Sequence, residues 1–190
     1  MNETRTIFFV GKPGSGKGTQ AKLLAEHTGW QVLASGAQFR QIAGEDTPVG
    51  RKVKQEMEAG FLAPPWFAMY LYQRALFAVA EGASVIFDGF NRKVPEAELI
   101  VDSLKWLERP FQVVNIAVSD EEVEKRLKLR SSTSGRADDN DSIVGERIKE
   151  YDTYTKDAIE VFRREGVLIE VNGEQTPEAI AADVRKALGV

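Results

Sequence analysis

The 190-residue chain contains no cysteine and a single histidine. The absence of cysteine excludes disulfide bonds, thiol nucleophiles and cysteine-ligated zinc. The one histidine, His27, lies near the end of a predicted helix, and we interpret it as a solvated surface residue rather than a catalyst. No apolar run is long enough to span a membrane, and no signal-peptide core precedes the first predicted strand. We therefore expect a cytoplasmic protein without a membrane partner.

The chain has no large excess of charge of either sign, because its 25 basic and 29 acidic residues give a net charge of -4. A nucleic acid is therefore not the expected partner, and any positive site has to be a local cluster. With 43% hydrophobic residues, the chain can form one globular domain with a sizeable core. We expect residues 1–190 to form a single domain that acts as a monomer.

Residues 7–20, IFFVGKPGSGKGTQ, predict a strand, a glycine-rich loop and a helix. The apolar run at residues 7–10 is typical of a strand buried on both faces of a parallel sheet. The loop can turn tightly and approach a ligand closely because it has glycine at positions 11, 14 and 16. The helix N-terminus and Lys17 then offer N–H groups and a cation to phosphates.

One detail departs from the usual phosphate-loop pattern GxxxxGK[ST]. Gly18 follows the lysine, and the hydroxyl comes one place later, at Thr19. We therefore expect Mg²⁺ to be held mainly through waters and carboxylates rather than directly by this hydroxyl.

Further strand signals alternate with helical patterns along the chain. They fall at residues 31–33, 84–87, 111–118 and 167–171. Such alternation indicates βαβ crossovers and a mostly parallel sheet. The predicted fold class is α/β, a three-layer P-loop NTPase fold with a central parallel sheet of five strands flanked by helices.

Three helix starts have clear signals. Thr47-Pro48 and Thr176-Pro177 each place a capping hydroxyl before a proline. Ser119 with Glu122 predicts a capping box and a helix that runs to Arg130.

Two segments interrupt the alternation. Residues 34–63 contain two short helical patterns where a simple crossover has one. Residues 130–140, RSSTSGRADDN, are polar and rich in small residues, a composition that most often forms a plain surface loop. The second segment also contains two arginines and is flanked by two more, which suits a lid over phosphates.

Phosphoryl transfer requires positioning, exclusion of water and positive charge around the transferring group. Asp88 follows the apolar run at 85–87, which places it at the carboxyl edge of the sheet, where ligands bind in such folds. Arg126 and Arg130 share a helix face, where a salt bridge from Glu122 to Arg126 is the alternative interpretation. Five arginines near predicted loops and helix ends favour a functional cluster: Arg92, Arg126, Arg130, Arg136 and Arg147.

Four motifs follow one another in the chain. They are GKPGSGKGTQ at 11–20, LASGAQFR at 33–40, DGFNR at 88–92 and GRADD at 135–139. In type, order and spacing they resemble the phosphate loop, the monophosphate-binding turn, the DGFPR motif and the lid motif of short-lid adenylate kinases, within the nucleoside monophosphate kinases. The resemblance covers nearly the whole chain.

The resemblance implies transfer of the γ-phosphoryl group of Mg·ATP to a nucleoside monophosphate, with small-molecule nucleotides as the partners and AMP as the leading acceptor. It implies a monophosphate-binding subdomain at 34–63 and a short lid at 130–140 that lacks zinc. The implied donor-site residues are Gly14, Ser15, Gly16, Lys17, Gly18, Thr19, Arg126 and Arg130. The implied acceptor-site residues are Ser35, Gly36, Arg40, Phe61, Ala63, Gly89, Arg92, Glu96, Arg136 and Arg147. The implied catalytic residues are Lys17, Asp88, Arg92, Arg130, Arg136 and Arg147.

Some of these residues have implied individual roles. Arg126 would stack on the donor's adenine, and Arg130 would contact the donor's phosphates. Asp88 would order Mg²⁺ through water. Asp138 and Asp139 would help to fix the closed lid.

The chain departs from the family pattern at three positions. Ala37 replaces an aspartate, Asn91 replaces the proline of DGFPR, and Glu96 replaces a glutamine that reads the acceptor's adenine. An ionised glutamate only accepts hydrogen bonds, so it would face adenine N1 with a lone pair, a mismatch of roughly 1 to 3 kcal/mol if buried. Guanine offers two donors and suits a carboxylate better, whereas an exposed glutamate at a helix start would read no base.

These departures leave two further functions open. GMP or a pyrimidine monophosphate could be the acceptor, or the chain could be a nucleotide-binding regulatory module with little turnover.

Overall fold

The structure, a computed structural model, describes residues 5–134 and 141–190, with side chains at residues 5–129 and 144–190. In these residues, five parallel strands form one sheet in the order β2-β3-β1-β4-β5. The strands are β1 (Thr6–Val10), β2 (Gln31–Ala34), β3 (Val85–Asp88), β4 (Phe111–Ala117) and β5 (Leu168–Asn172). The predicted α/β class is confirmed, and no strand end lies more than one residue from its predicted position.

Helices cover both faces of the sheet. They are α1 (Lys17–Thr28), α2 (Ser35–Ala43), α3 (Pro48–Glu58), α4 (Pro65–Phe77), α5 (Val94–Trp106), α6 (Asp120–Ser134), α7 (Asp141–Glu150), α8 (Lys156–Arg164) and α9 (Pro177–Leu188). A π-helical turn, Tyr151–Thr155, joins α7 to α8. Among the described helices, none combines the length and the apolar character that a membrane crossing requires.

Alternate residues of each central strand enter two separate cores. Phe8 of β1 and Phe87 of β3 stack with ring centroids 4.9 Å apart, in the core beneath α4, α5 and α8. Ile7 and Phe9 enter the other core, which contains side chains of α1, α6 and α9. Burial on both faces explains why these strands are continuous apolar runs in the sequence.

The predicted caps at Thr47 and Thr176 are confirmed, because each hydroxyl accepts the N–H group three residues further on. Of the capping box predicted at the start of α6, only one of the two hydrogen bonds is present. The Ser119 hydroxyl accepts the Glu122 N–H at 3.4 Å, but the Ser119 N–H donates to Glu174 at 2.7 Å. The Glu122 carboxylate instead pairs with an arginine one helical turn away.

The end of α6 also differs from the prediction. The helix continues to Ser134 rather than ending at Arg130. Residues 120–134 contain no glycine or proline, so nothing in the sequence stops the helix before Gly135.

Candidate active site

A cleft of about 1150 Å³ lies at the carboxyl edge of the sheet. Its lining combines the phosphate loop (residues 11–17), the start of α2, residues 60–63, the loop after β3, and parts of α6 and α7. In open parallel sheets, ligands bind at this edge because the loops after several strands meet there. Segments that are far apart in the sequence therefore line the same cleft.

The phosphate loop is closely packed against β4. Gly11 has φ 134°, and a Cβ built on it would lie 2.7 Å from the Ile116 carbonyl oxygen, so only glycine fits. Helix α1 then begins at Lys17 without a side-chain cap. The Lys17 ammonium donates to the carbonyl oxygens of Gly11 at 2.7 Å and Lys12 at 2.6 Å. A helix N-terminus and a cation thus meet at one loop, an arrangement that favours an anion.

Asp88, the last residue of β3, lies beside this loop. A Cβ built on Gly18 would be 3.2 Å from Asp88 Oδ2. The parallel register explains the proximity, because Asp88 pairs with Phe9, two residues before the loop begins. Within the described ranges, no cluster of three or more acidic or histidine side chains could hold a metal ion.

Arg126 of α6 bridges the phosphate loop and the loop after β5. Its guanidinium donates to the Ser15 carbonyl oxygen at 3.3 Å and to the Gly173 carbonyl oxygen at 2.7 Å. It also pairs with Glu122 at 2.7 Å, and this hydrogen bond lowers the pKa of Glu122. The salt bridge considered as an alternative is therefore present, and it holds Arg126 at the cleft instead of removing it.

The loop after β3 holds a second cationic side chain of the cleft, Arg92. Arg92 Nε donates to the Gly89 carbonyl oxygen at 2.8 Å. Gly89 has φ 78°, and a Cβ there would lie 2.8 Å from Ser35 Oγ and 3.1 Å from an Arg92 guanidinium nitrogen. Ser35, Gly89 and Arg92 therefore converge, as the predicted acceptor site requires.

Other predicted residues also line the cleft. They are Gly14, Gly16, Lys17, Gly18, Thr19, Gly36, Arg40, Phe61, Ala63, Glu96 and Arg147. Ser15 is fully buried in the phosphate loop. The side chain of Arg130 and the whole of Arg136, Asp138 and Asp139 lie outside the described residues.

Glu96 is buried, with 5% of the residue's surface exposed. Its Oε2 accepts the Arg92 N–H at 2.9 Å. Burial raises the pKa of Glu96, and the neighbouring Arg92 and Lys93 partly oppose that effect. The alternative in which Glu96 points to solvent is therefore wrong.

Glu150 and Thr155 are among the cleft residues that were not predicted from the sequence. Glu150 Oε2 accepts the Leu62 N–H at 3.1 Å, and Thr155 Oγ1 donates to the Arg92 carbonyl oxygen at 3.1 Å. Glu150 immediately precedes the π-helical turn and Thr155 is its last residue. The sequence carries no pattern that marks such a turn.

Comparison with known proteins gives one consistent family. The family model described as "Adenylate kinase" matches residues 9–167. The adenylate kinase of Thermus thermophilus is 35% identical over 191 residues, which cover 100% of both chains. The adenylate kinase of Leptospira biflexa is 32% identical, covering 97% of this chain and 100% of that one. Adenylate kinase 1 of Nostoc sp. is 33% identical, covering 96% of this chain and 98% of that one.

Proposed function

The chain belongs to the adenylate kinase family, and we propose that it transfers the γ-phosphoryl group of ATP to AMP, forming two molecules of ADP. It is an enzyme of the nucleoside monophosphate kinase class. The observation that carries the proposal is that Lys17 in the phosphate loop and Arg92 in a separate loop line the same cleft. A reaction between two nucleotides needs two anion-binding groups in one water-excluding space.

We assign the donor side to the phosphate loop and α6. The N–H groups at the start of α1 and the ammonium of Lys17 would bind the phosphates of ATP. Lys17 now donates to loop carbonyl oxygens, so it has to exchange those partners for phosphate oxygens. Arg126 would stack on the adenine, and its hydrogen bonds to the Ser15 and Gly173 carbonyl oxygens support this assignment because they hold it beside the phosphate loop. Arg130 would reach the phosphates from the same helix.

The residues beside the phosphate loop fit Mg²⁺ that keeps most of its waters. Asp88 supplies one carboxylate next to Gly18, and Thr19 stands one place beyond the usual hydroxyl position. When bound, Mg²⁺ would neutralise charge on the β- and γ-phosphates. Asp88 would hold its waters by accepting their hydrogen bonds.

We assign the acceptor side to the loop after β3 and to residues 34–63. Arg40 and Arg92 would bind the phosphate of AMP, since arginine matches phosphate geometry in two-point contacts. Ser35, Gly36, Gly89 and the backbone at 61–63 would surround the nucleoside. Glu96 would face the base.

The transferring group needs positive charge on several sides. Arg147 lines the cleft from α7, and Arg136 would close from the lid at 130–140. Together with Lys17 and Arg92, these arginines would stabilise the charge on the equatorial oxygens, which is the main electrostatic contribution to phosphoryl transfer.

The other functions are less well supported. The three relatives reported above are named adenylate kinases, which favours AMP over GMP or a pyrimidine monophosphate. Asp88, Lys17 and Arg92 remain in place despite Ala37 and Asn91, which argues against a module with little turnover.

A coupled ADP-release assay with a panel of nucleoside monophosphates tests the proposal. We expect AMP to give the highest kcat/KM, and Lys17→Ala to lower kcat by about 10²- to 10³-fold because one preorganised charge is lost. Lys105→Ala, which removes an exposed lysine paired with Glu165, is the matched control and should keep full activity. AMP performing worst, or Lys17→Ala retaining its kcat, would contradict the proposal.

The same panel tests the role of Glu96. A glutamine amide can donate to adenine N1 while accepting from the 6-amino group. Glu96→Gln should therefore improve AMP relative to the other acceptors, and an unchanged ranking would mean that Glu96 does not read the base. A cytoplasmic location, a monomeric state and a lid without zinc stay predictions.

A further inference from the structure

The π-helical turn Tyr151–Thr155 changes which side chains face the cleft. In an α-helix of 3.6 residues per turn, positions 150 and 155 would point roughly 140° apart. The wider turn brings them closer to one face, and π-helical turns are frequent at functional sites. Tyr151 and Thr155 are buried and Glu150 is half-buried, and all three line the cleft.

The two ends of this turn contact two different segments of the acceptor side. Glu150 accepts the N–H of Leu62, at the end of the 34–63 segment, at 3.1 Å. Thr155 donates to the carbonyl oxygen of Arg92 at 3.1 Å. The first bond joins two residues that are 88 positions apart in the sequence, and the second joins two that are 63 positions apart. One short stretch of chain therefore restrains both acceptor segments.

The backbone of Arg92 is held on both sides by side chains. Glu96 accepts its N–H and Thr155 donates to its carbonyl oxygen. With its Nε bonded to Gly89, the arginine has little freedom to leave the cleft. Removing one of these contacts should misplace the guanidinium without emptying the site.

We propose that the π-helical turn braces the acceptor site, with Glu150 and Thr155 as positioning residues for the Leu62 backbone and the Arg92 loop. The identity of the acceptor rests on the proposed function, whereas the brace itself rests on the two contacts. Neither residue is assigned to the transferring phosphoryl group. Their effect should therefore fall on acceptor binding and leave donor binding intact.

Paired variants test the two contacts. Glu150→Ala and Thr155→Val each remove one hydrogen bond, and loss of about 0.7–1.4 kcal/mol should raise KM for AMP roughly 3- to 10-fold. KM for ATP should stay within about twofold, because neither contact reaches the phosphate loop. Glu150→Gln keeps an acceptor oxygen, and Thr155→Ser keeps the hydroxyl, so both should restore KM for AMP.

Amide hydrogen exchange gives a readout that does not depend on activity. The Leu62 N–H should exchange faster in Glu150→Ala than in the wild type, and Glu150→Gln should restore its protection. Asp152→Asn is the matched control, since Asp152 lies in the same turn but is exposed and pairs with Lys156 at 2.7 Å. It should change neither KM nor the exchange of Leu62.

Three results would overturn the brace. They are an equal rise of both KM values, an unchanged KM for AMP in both removal variants, and failure of the conservative variants to restore it. If the wild type does not phosphorylate AMP, the proposed function fails. In that case the brace is still tested by two measurements. They are the exchange rate of the Leu62 N–H and the calorimetric affinity of the variants for the monophosphate that the wild type binds.

Discussion

Glu96 carries a carboxyl group in a place where its charge is costly. The side chain is buried at the start of α5, and burial raises its pKa above the ordinary 4.5. Folding therefore shifts the protonation equilibrium of Glu96 towards the neutral form. The resulting contribution to stability is fully present below pH 4.5 and is lost as the pH rises through the raised pKa.

Glu96→Gln should consequently stabilise the free protein at neutral pH and have a smaller effect in acid. The glutamine oxygen can still accept the Arg92 N–H, while the cost of burying a charge disappears. A gain of about 1 kcal/mol would raise Tm by roughly 2–4 °C in a chain of this size. Thermal unfolding at pH 7.5 and pH 5 measures the difference. Glu98→Gln, an exposed change on the same helix, is the control; a difference that does not depend on pH would contradict the explanation.

The loop after β3 places Arg92 by a close backbone approach. A Cβ at Gly89 would meet both Ser35 Oγ and the Arg92 guanidinium, and the backbone there has φ 78°. The loop thus excludes a side chain at the point where the acceptor phosphate is expected. We therefore expect the shape of this loop to matter more for acceptor binding than for the stability of the sheet.

Gly89→Ala should raise KM for AMP far more than KM for ATP. Displacing Arg92 from a phosphate removes charged hydrogen bonds worth about 1.5–3 kcal/mol, which corresponds to roughly 10- to 100-fold in affinity. Steady-state kinetics with each nucleotide varied in turn measures the two KM values. Gly166→Ala is a matched control, because Gly166 has φ 70° and no heavy atom within 4 Å of a built Cβ. Equal changes in the two variants would attribute the effect to backbone strain alone.

The strands were predictable from the sequence because a strand that is buried on both faces of the sheet is an unbroken run of apolar residues. Val85, Ile86 and Phe87 form an unbroken apolar run, and the next residue, Asp88, marks the edge of the sheet. The π-helical turn was not predictable, since YDTYT has no composition that distinguishes it from an ordinary helix. The contact from Glu96 to Arg92 was equally hidden, because a glutamate at a helix start is usually exposed.

The parallel sheet explains how so few local signals define one site. All five strands of the described chain run in the same direction, so the segments that follow β1, β2 and β3 leave the sheet at a common edge. The phosphate loop, the 34–63 segment and the Arg92 loop are these three segments. Sequence motifs could therefore place Lys17, Ser35 and Arg92 together, although they could not show which contacts hold them.

The helices of the 34–63 segment bury few residues completely, and we expect the segment to move inward when both nucleotides bind, while Leu62 at its end stays bonded to Glu150. Ser35 is the one buried residue of α2, and α3 buries only Gly50 and Val53. The apolar side chains of these helices that pack on the core, such as Phe39, Ile42 and Met57, are only partly buried, so displacing α2 and α3 costs less than displacing a fully buried helix. Because the chain has no cysteine, dyes attached through Lys54→Cys and Ala187→Cys can report the distance from α3 to α9. A bisubstrate analogue should shorten it by more than about 2 Å, whereas Lys105→Cys paired with Ala187→Cys should not change. Equal distances with and without the analogue would contradict closure.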